Sequence, residues 1–238
     1  MRADNRKNNQ IRGIKVTTNY IKHAEGSCFI EAGNTRIVCT ATVEDRVPPF
    51  LKDTGGGWIT VEYGMLPRAT EIRTYRDGMR DSGRVKEIQR IIGRCLRGVV
   101  DLKSLGERTI KIDCDVIQAD GGTRTLSITG GFVVLVEAVK KLKRERTISS
   151  WPVKDYLAAI SVGIVDGQKL LDLAFSEDVK AEVDMNICMT GEGKIVEIQG
   201  TAERKPFTTK ELEALISLAK NGIDEIIKME KEELRIII

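Results

Sequence analysis

The sequence predicts an α+β protein of two hairpin-plus-helix halves, with sheet packed against helices, and three observations carry that expectation. Apolar residues make up 41% of the chain and aromatics only 5%, so Ile, Val, Leu and Ala dominate, as packed sheets and amphipathic helices require. Short β-rich runs bracket glycine turns in both halves. Longer segments follow with apolar residues at helical spacing. With 238 residues the chain can bury a substantial core, and it reads as a single domain over 1–238 whose two pseudo-repeated halves join near 144–152.

Residues 27–46 hold two β-branched runs around Gly33-Asn34, a hairpin signal. Pro48-Pro49 and Gly55-Gly56-Gly57 mark a loop before the strand-like 58–63. The spacing of Ile88, Ile91, Ile92, Cys95, Leu96, Val99 and Val100 predicts a helix over 84–100, with Lys86, Arg90, Arg94 and Arg97 on the opposite side. Arg84 lies one turn before Ile88, on the apolar side. Its guanidinium is therefore expected to face the protein and to need an anionic partner. A strand at 109–117 is followed by a glycine turn and a helix whose stripe is Ile128, Phe132, Leu135, Val136, Val139 and Leu142. The second half has hairpin signals at Asp166-Gly167 and Gly191-Glu192-Gly193. Thr208 and Glu211 form a capping-box pattern before a closing helix striped by Leu212, Leu215, Ile216, Ala219, Ile223, Ile226 and Ile227.

The apolar run at 131–136 is far short of the roughly 20 residues that span a bilayer. The polar N-terminus lacks the apolar core of a signal peptide, so a cytoplasmic protein is expected. Cys28, Cys39, Cys95, Cys114 and Cys188 are odd in number and contain no CxxC pair, which supports neither a disulfide framework nor zinc. They are expected as buried free thiols. His23 is the only histidine, so chemistry must rest on carboxylates, arginines and backbone.

The net charge of +3 says little, but its distribution says more. Between Leu66 and Arg97 nine basic residues face four acidic ones, a local balance of +5, and eight of the nine are arginine. Arginine's planar fork grips phosphate bidentately, so polyanion binding is expected; a solvated helix face would show the same pattern.

Gly121-Gly122-Thr123-Arg124-Thr125 combines glycines that let N–H groups converge, two hydroxyls, a cation and a helix N-terminus, the ingredients of a small-anion cradle. A simple capped helix start with Arg124 exposed would read the same. The Gly-Lys-Ser/Thr ending of a Walker loop and the GxGxxG of dinucleotide folds are both absent. Asp178 and Asp184 lie in an acidic stretch expected to be β-like. Fully extended they would stand roughly 20 Å apart at about 3.3 Å per residue, so a shared divalent ion needs a turn at Lys180-Ala181-Glu182. A solvent-facing acidic hairpin is the alternative.

The run Asp113-Cys114-Asp115-Val116-Ile117-Gln118-Ala119-Asp120-Gly121-Gly122-Thr123-Arg124-Thr125 resembles the signature of the bacterial ribonuclease PH family. The resemblance continues through Arg2-Ala3-Asp4-Asn5-Arg6, Glu62-Tyr63-Gly64-Met65-Leu66-Pro67-Arg68, Glu87-Ile88-Gln89-Arg90, Val183-Asp184-Met185-Asn186 and Gln199-Gly200-Thr201-Ala202-Glu203. It implies a ribonuclease PH-type fold, α+β with two βαβ-type halves of mixed sheet and packed helices, and a phosphorolytic 3′ to 5′ exoribonuclease. Such an enzyme trims precursor tRNA and other RNA 3′ ends with inorganic phosphate, releases nucleoside diphosphates, and works as a homohexamer, a trimer of dimers. The alternative is a non-catalytic RNA-binding ring subunit of an exosome-like assembly.

By motif match the resemblance implies that Arg84, Gly122, Thr123 and Arg124 hold phosphate, with Thr125 and Ser127 nearby. Asp178 and Asp184 would be catalytic and hold Mg²⁺. Arg68, Arg73 and Arg76 are the candidates for an RNA track. Three departures stand out: the connection 76–81 is shorter than the family's, Arg204-Lys205 adds charge after Glu203, and Leu126 stands where alanine is more usual.

Overall fold

A computed structural model of the chain describes residues 2–75 and 82–236. The expectations at Arg76 and for the 76–81 connection therefore fall outside the described residues.

Strands β1 (Ile14–Thr18), β2 (Gly26–Ala32), β3 (Thr35–Glu44), β4 (Trp58–Met65) and β5 (Thr109–Gln118) form a first sheet in the order β1-β2-β3-β5-β4. β2 and β3 are the hairpin expected at Gly33-Asn34, with Gly33 at φ +56°. β4 and β5 run parallel, in register Trp58 with Thr109, because helix α1 (Gly83–Gly98) crosses between them. Strands β6 (Leu157–Val165), β7 (Gln168–Leu171), β8 (Val183–Thr190) and β9 (Ile195–Ala202) make a second sheet, order β7-β6-β8-β9, antiparallel throughout. Among the described residues, the one parallel pair is therefore that of the first sheet. Short helices α2 (Leu102–Leu105) and α4 (Phe175–Asp178) lie in connections, whereas α3 (Thr123–Arg144) and α5 (Thr209–Leu234) are long.

The single stripe expected for the third helix is corrected by the structure. Every residue of α3 from Thr125 to Val136 is buried, because the helix lies against β2, β3 and β5 on one side and β6 on the other. A helix sandwiched between sheets needs apolar residues all round. Its glycines permit the approach: a Cβ on Gly130 would stand 2.8 Å from Cys39 Sγ. Strand β6 is buried along its whole length, covered by α3 and by α5 on its other face. The capping box at Thr208 is formed, Thr208 Oγ1 accepting from the Glu211 N–H at 3.2 Å. All five cysteines are free and buried.

Arg97 corrects another expectation. It leaves the solvated side of α1, donates through Nη1 to Ile59 O at 2.8 Å and lies 4.3 Å above the Trp58 ring, so β4 draws it inward by a hydrogen bond and a cation–π contact. No helix among the described residues is long and apolar enough to cross a membrane.

Candidate active site

The end of β5 delivers the chain into Gly121 and Gly122, at φ +78° and +67°, the left-handed region that glycine enters freely. A side chain at Gly121 would also collide with the second half, its Cβ falling 2.4 Å from Leu173 O. Gly122 is the N-cap of α3, so the first N–H groups of the helix lack intrahelical partners and carry the positive end of its dipole. Thr123 follows, its Oγ1 accepting from the Tyr63 hydroxyl at 2.9 Å. Burial pushes the Tyr63 phenol up to about 12, which keeps it a donor. Arg124 Nη1 donates to Gln199 Oε1 at 3.1 Å, and Gln199 Nε2 donates to Glu87 Oε1 at 3.1 Å. This chain of bonds links β9 and α1 to Arg124 in the glycine turn.

Arg84 sits in the first turn of α1, behind Ser82, whose Oγ accepts from the Val85 N–H at 3.2 Å. It is not turned into the core: it is exposed, where the spacing suggested an inward guanidinium. The helix starts at the rim of a cleft, so Arg84 reaches solvent inside that cleft, alongside Arg124, Asp178 and Asp184.

The acidic stretch is not β-like at its start. Residues 175–178 form α4, and Ala181 N–H donates back to Asp178 O at 3.1 Å, so the chain turns and brings Asp178 near Asp184 on β8. The Asp178 carboxyl is raised by burial, against the lowering influence of Arg124 and Arg84. Asp184 is pushed up to about 6, by burial first and then by the charge of Asp178. Among the described residues neither acid forms a salt bridge. Glu203 adds a further negative charge felt by both.

These groups line two adjoining clefts of about 590 and 710 Å³ that share Arg84, Arg124, Asp178 and Asp184. One is walled by Met65, Ile72, Val85, Ile88 and Phe175. The other opens past Glu87, Glu203 and Arg204. Arg68 and Arg73 are exposed beside the loop whose Thr70 and Ile72 line the first cleft. Arg68 Nη1 donates to Glu71 O at 3.0 Å, and Arg73 lies 5.5 Å above the Tyr75 ring. Neither lines the cleft itself.

Thr125 and Ser127 require correction. Thr125 is buried with Oγ1 donating to Gly122 O at 3.0 Å, Ser127 is 0% exposed with its Oγ unpartnered, and neither side chain lines either cleft. The helix carries both toward the core. Sequence reasoning did not single out Tyr63, Glu87, Gln199 or Glu203. Glu87 was visible in principle, three residues after Arg84 and so on the same face of α1; the others depend on contacts between distant elements.

Two interlocked sheets around a central helix, with a glycine turn facing an acid pair, define a ribonuclease PH-type fold. The models for domains 1 and 2 of the 3′ exoribonuclease family match residues 10–141 and 155–222, and the chain belongs to that family. Among solved structures, rice (Oryza sativa) Rrp46 superposes with a TM-score of 0.80 at 19% identity, covering 98% of this chain and 100% of that one. The Archaeoglobus fulgidus exosome with RNA bound to its active site gives 0.82 at 21% identity, covering 96% and 92%. An archaeal exosome core gives 0.77 at 20% identity, covering 99% and 91%. Identities this low establish likeness of fold.

Proposed function

We propose that this chain is a catalytically competent phosphorolytic exoribonuclease of the bacterial ribonuclease PH type, trimming precursor tRNA from its 3′ end. One observation carries the reading: Arg84, the Gly122-Thr123-Arg124 turn and two unpaired carboxylates meet in a single cleft. Arg84 and Arg124 with the turn's N–H groups suit inorganic phosphate. Neither histidine nor cysteine lines the cleft, which agrees with phosphate itself as the nucleophile.

The donor set suits magnesium. Among the described residues Asp178 and Asp184 form no salt bridge, Arg124 and Arg84 acting on them only at longer range, and no cluster of three or more His, Cys, Asp or Glu forms a closed cage. Magnesium favours one or two carboxylates, with water and phosphate oxygens completing its shell. Held there by Asp178 and Asp184, it would supply charge compensation for the transferring phosphoryl group.

An oxygen of the bound phosphate attacks the last phosphodiester. A new P–O bond forms, the bond to the penultimate 3′ oxygen breaks, and that oxygen takes a proton. The products are a nucleoside diphosphate and an RNA one residue shorter. Arg84 and Arg124 orient the attacking phosphate and offset its repulsion by the substrate. Met65, Ile72 and Phe175 would offer an apolar wall for the terminal nucleoside, and Arg68 and Arg73, exposed beside the loop that lines the cleft, would engage the RNA backbone. Assembly as a homohexameric ring in the cytoplasm completes the proposal.

The test incubates the protein and Mg²⁺ with a 3′-extended tRNA, with and without inorganic phosphate. Phosphate-dependent release of nucleoside diphosphates is expected. Monophosphates released regardless of phosphate would mean a hydrolase, and binding without release would mean a non-catalytic ring subunit.

A further inference from the structure

The cleft is assembled from two parts of the chain, the turn between β5 and α3 and the segment that runs from β7 through α4 to β8. Three arginines from the first twelve residues lie beneath the seam. Arg12, 6% exposed, divides its guanidinium between the two parts. Nη1 donates to Asp120 O at 2.5 Å and Nη2 to Gly121 O at 3.4 Å. Nε and Nη2 donate to the two Asp172 carboxylate oxygens at 2.9 and 2.6 Å. The Arg12 backbone N–H adds a third bond to Asp172 Oδ2 at 2.7 Å. Arg6 also reaches Asp172, donating to Oδ2 at 3.2 Å and to its carbonyl at 3.0 Å, and its Nη2 lies 3.8 Å from Glu177 Oε2, so it touches both carboxylates.

Arg2, 7% exposed, grips the Glu177 carboxylate with two bonds of 2.7 Å and donates to Leu171 O and Asp172 O at 2.8 and 2.7 Å. Glu177 Oε2 accepts in turn from the Ala174 N–H at 2.9 Å, which closes the first turn of α4, whose last residue is Asp178. Asp172 itself has φ +55°, a strained conformation for a non-glycine residue that persists only where the surroundings impose it.

Peptide geometry gives these contacts a consequence. In a trans peptide the carbonyl and the following N–H point in opposite directions. By drawing the carbonyls of Asp120 and Gly121 toward itself, Arg12 turns the N–H groups of Gly121 and Gly122 away from itself. Arg12 does not line the clefts, whereas both glycines line the apolar-walled one.

We propose that the N-terminal arginines form two positioning couples joined through Arg6: Arg12 with Asp172 chiefly sets the phosphate turn, and Arg2 with Glu177 chiefly sets the helix that presents Asp178. This rests on reading the cleft as a phosphate and cation site. The two arms act on different ligands, and that separates positioning from general stabilisation.

The experiment measures inorganic phosphate binding to the free protein by calorimetry, Mn²⁺ binding by electron paramagnetic resonance, and melting temperature, for Arg12→Lys, Arg2→Lys and Arg84→Ala. Lysine keeps the charge but cannot bridge two partners in a fixed plane. Arg12→Lys is expected to weaken phosphate binding about tenfold while Mn²⁺ binding stays within about twofold, and Arg2→Lys the reverse. In turnover, Arg12→Lys should raise the KM for phosphate more than it lowers kcat. Asp172→Asn, close to the native shape, serves if Arg12→Lys does not fold, with the same expectation. Equal weakening of both ligands in each variant, or no weakening, overturns the proposal. Arg84→Ala tests the reading beneath it: wild-type phosphate binding there would sink the cleft assignment. Loss in Arg84→Ala with full binding in Arg12→Lys would sink only the positioning role.

Discussion

The Tyr63 hydroxyl donates to Thr123 Oγ1 at 2.9 Å, joining the end of β4 to the first turn of α3. A threonine hydroxyl that accepts one bond still has its own proton to offer, so Tyr63 fixes the rotor of a group at the mouth of the cleft. Tyr63→Phe is expected to raise the KM for phosphate about three- to tenfold, equivalent to about 1 kcal/mol for one hydrogen bond, with kcat less affected. Steady-state kinetics at varied phosphate checks this, and an unchanged KM would exclude the role.

The Glu87–Gln199–Arg124 chain predicts that Gln199→Leu weakens phosphate binding about tenfold, since an arginine without a fixed orientation loses much of the value of its planar fork. RNA binding measured without phosphate should be nearly unchanged. A matching loss of both would point to damage at β9 rather than to Arg124.

Asp178→Asn and Asp184→Asn are expected to abolish turnover, by about 10³-fold or more if they carry the charge compensation proposed, while RNA is still bound in a gel-shift assay. Substantial residual activity in both single variants would remove the acid pair from the mechanism.

Arg68 and Arg73 are exposed and proposed to engage backbone phosphates, so each alanine variant should lower the slope of log affinity against log salt by about 1. Binding titrations at several salt concentrations test this, and an unaltered slope would place the RNA elsewhere.

Glu230 on α5 is fully buried, with neither carboxylate oxygen partnered among the described residues, near Tyr156 and Cys188, both of which feel its charge. Burial raises its carboxyl well above the usual range. The folded form therefore favours the protonated acid. This contribution to stability is complete below the unfolded value near 4.5 and is lost as pH rises through the folded value. Denaturation of the wild type between pH 5 and 8 should show declining stability, and Glu230→Leu should flatten the decline. The opposite group, Asp172, is kept below its usual range despite burial by the hydrogen bonds and charge of Arg12, so its contribution fades only at more acidic pH.

Much of the fold is legible in local patterns. The hairpins at Gly33-Asn34, Asp166-Gly167 and Gly191-Glu192-Gly193 form as the turn residues require, and Thr208 and Glu211 cap α5 reciprocally. Local patterns do not show what lies across a helix. Spacing in α3 marks one apolar stripe, but a second sheet covers the remaining faces and takes Thr125 and Ser127 inward with them. Arg84 was placed by spacing on the apolar side, yet the first turn of α1 projects past the core into a cleft made by residues nearly a hundred positions later. Tyr63 and Gln199 escaped notice for the same reason: their partners, Thr123 and Arg124, lie 60 and 75 residues away.

The encasement of α3 also sets the order in which the site would open. Amides in its buried middle can exchange with solvent only when the sheets part, and should share the slowest, globally limited exchange of the protein. Asp178, by contrast, ends a helix of four residues tied to its surroundings mainly through the Arg2–Glu177 pair, so its amides should exchange sooner than those of α3. The glycine-turn side of the cleft is thus anchored to the most encased element, while of the two acids Asp184 sits on the doubly paired strand β8 and Asp178 on a single helical turn, so local opening should move Asp178 before it loosens the turn.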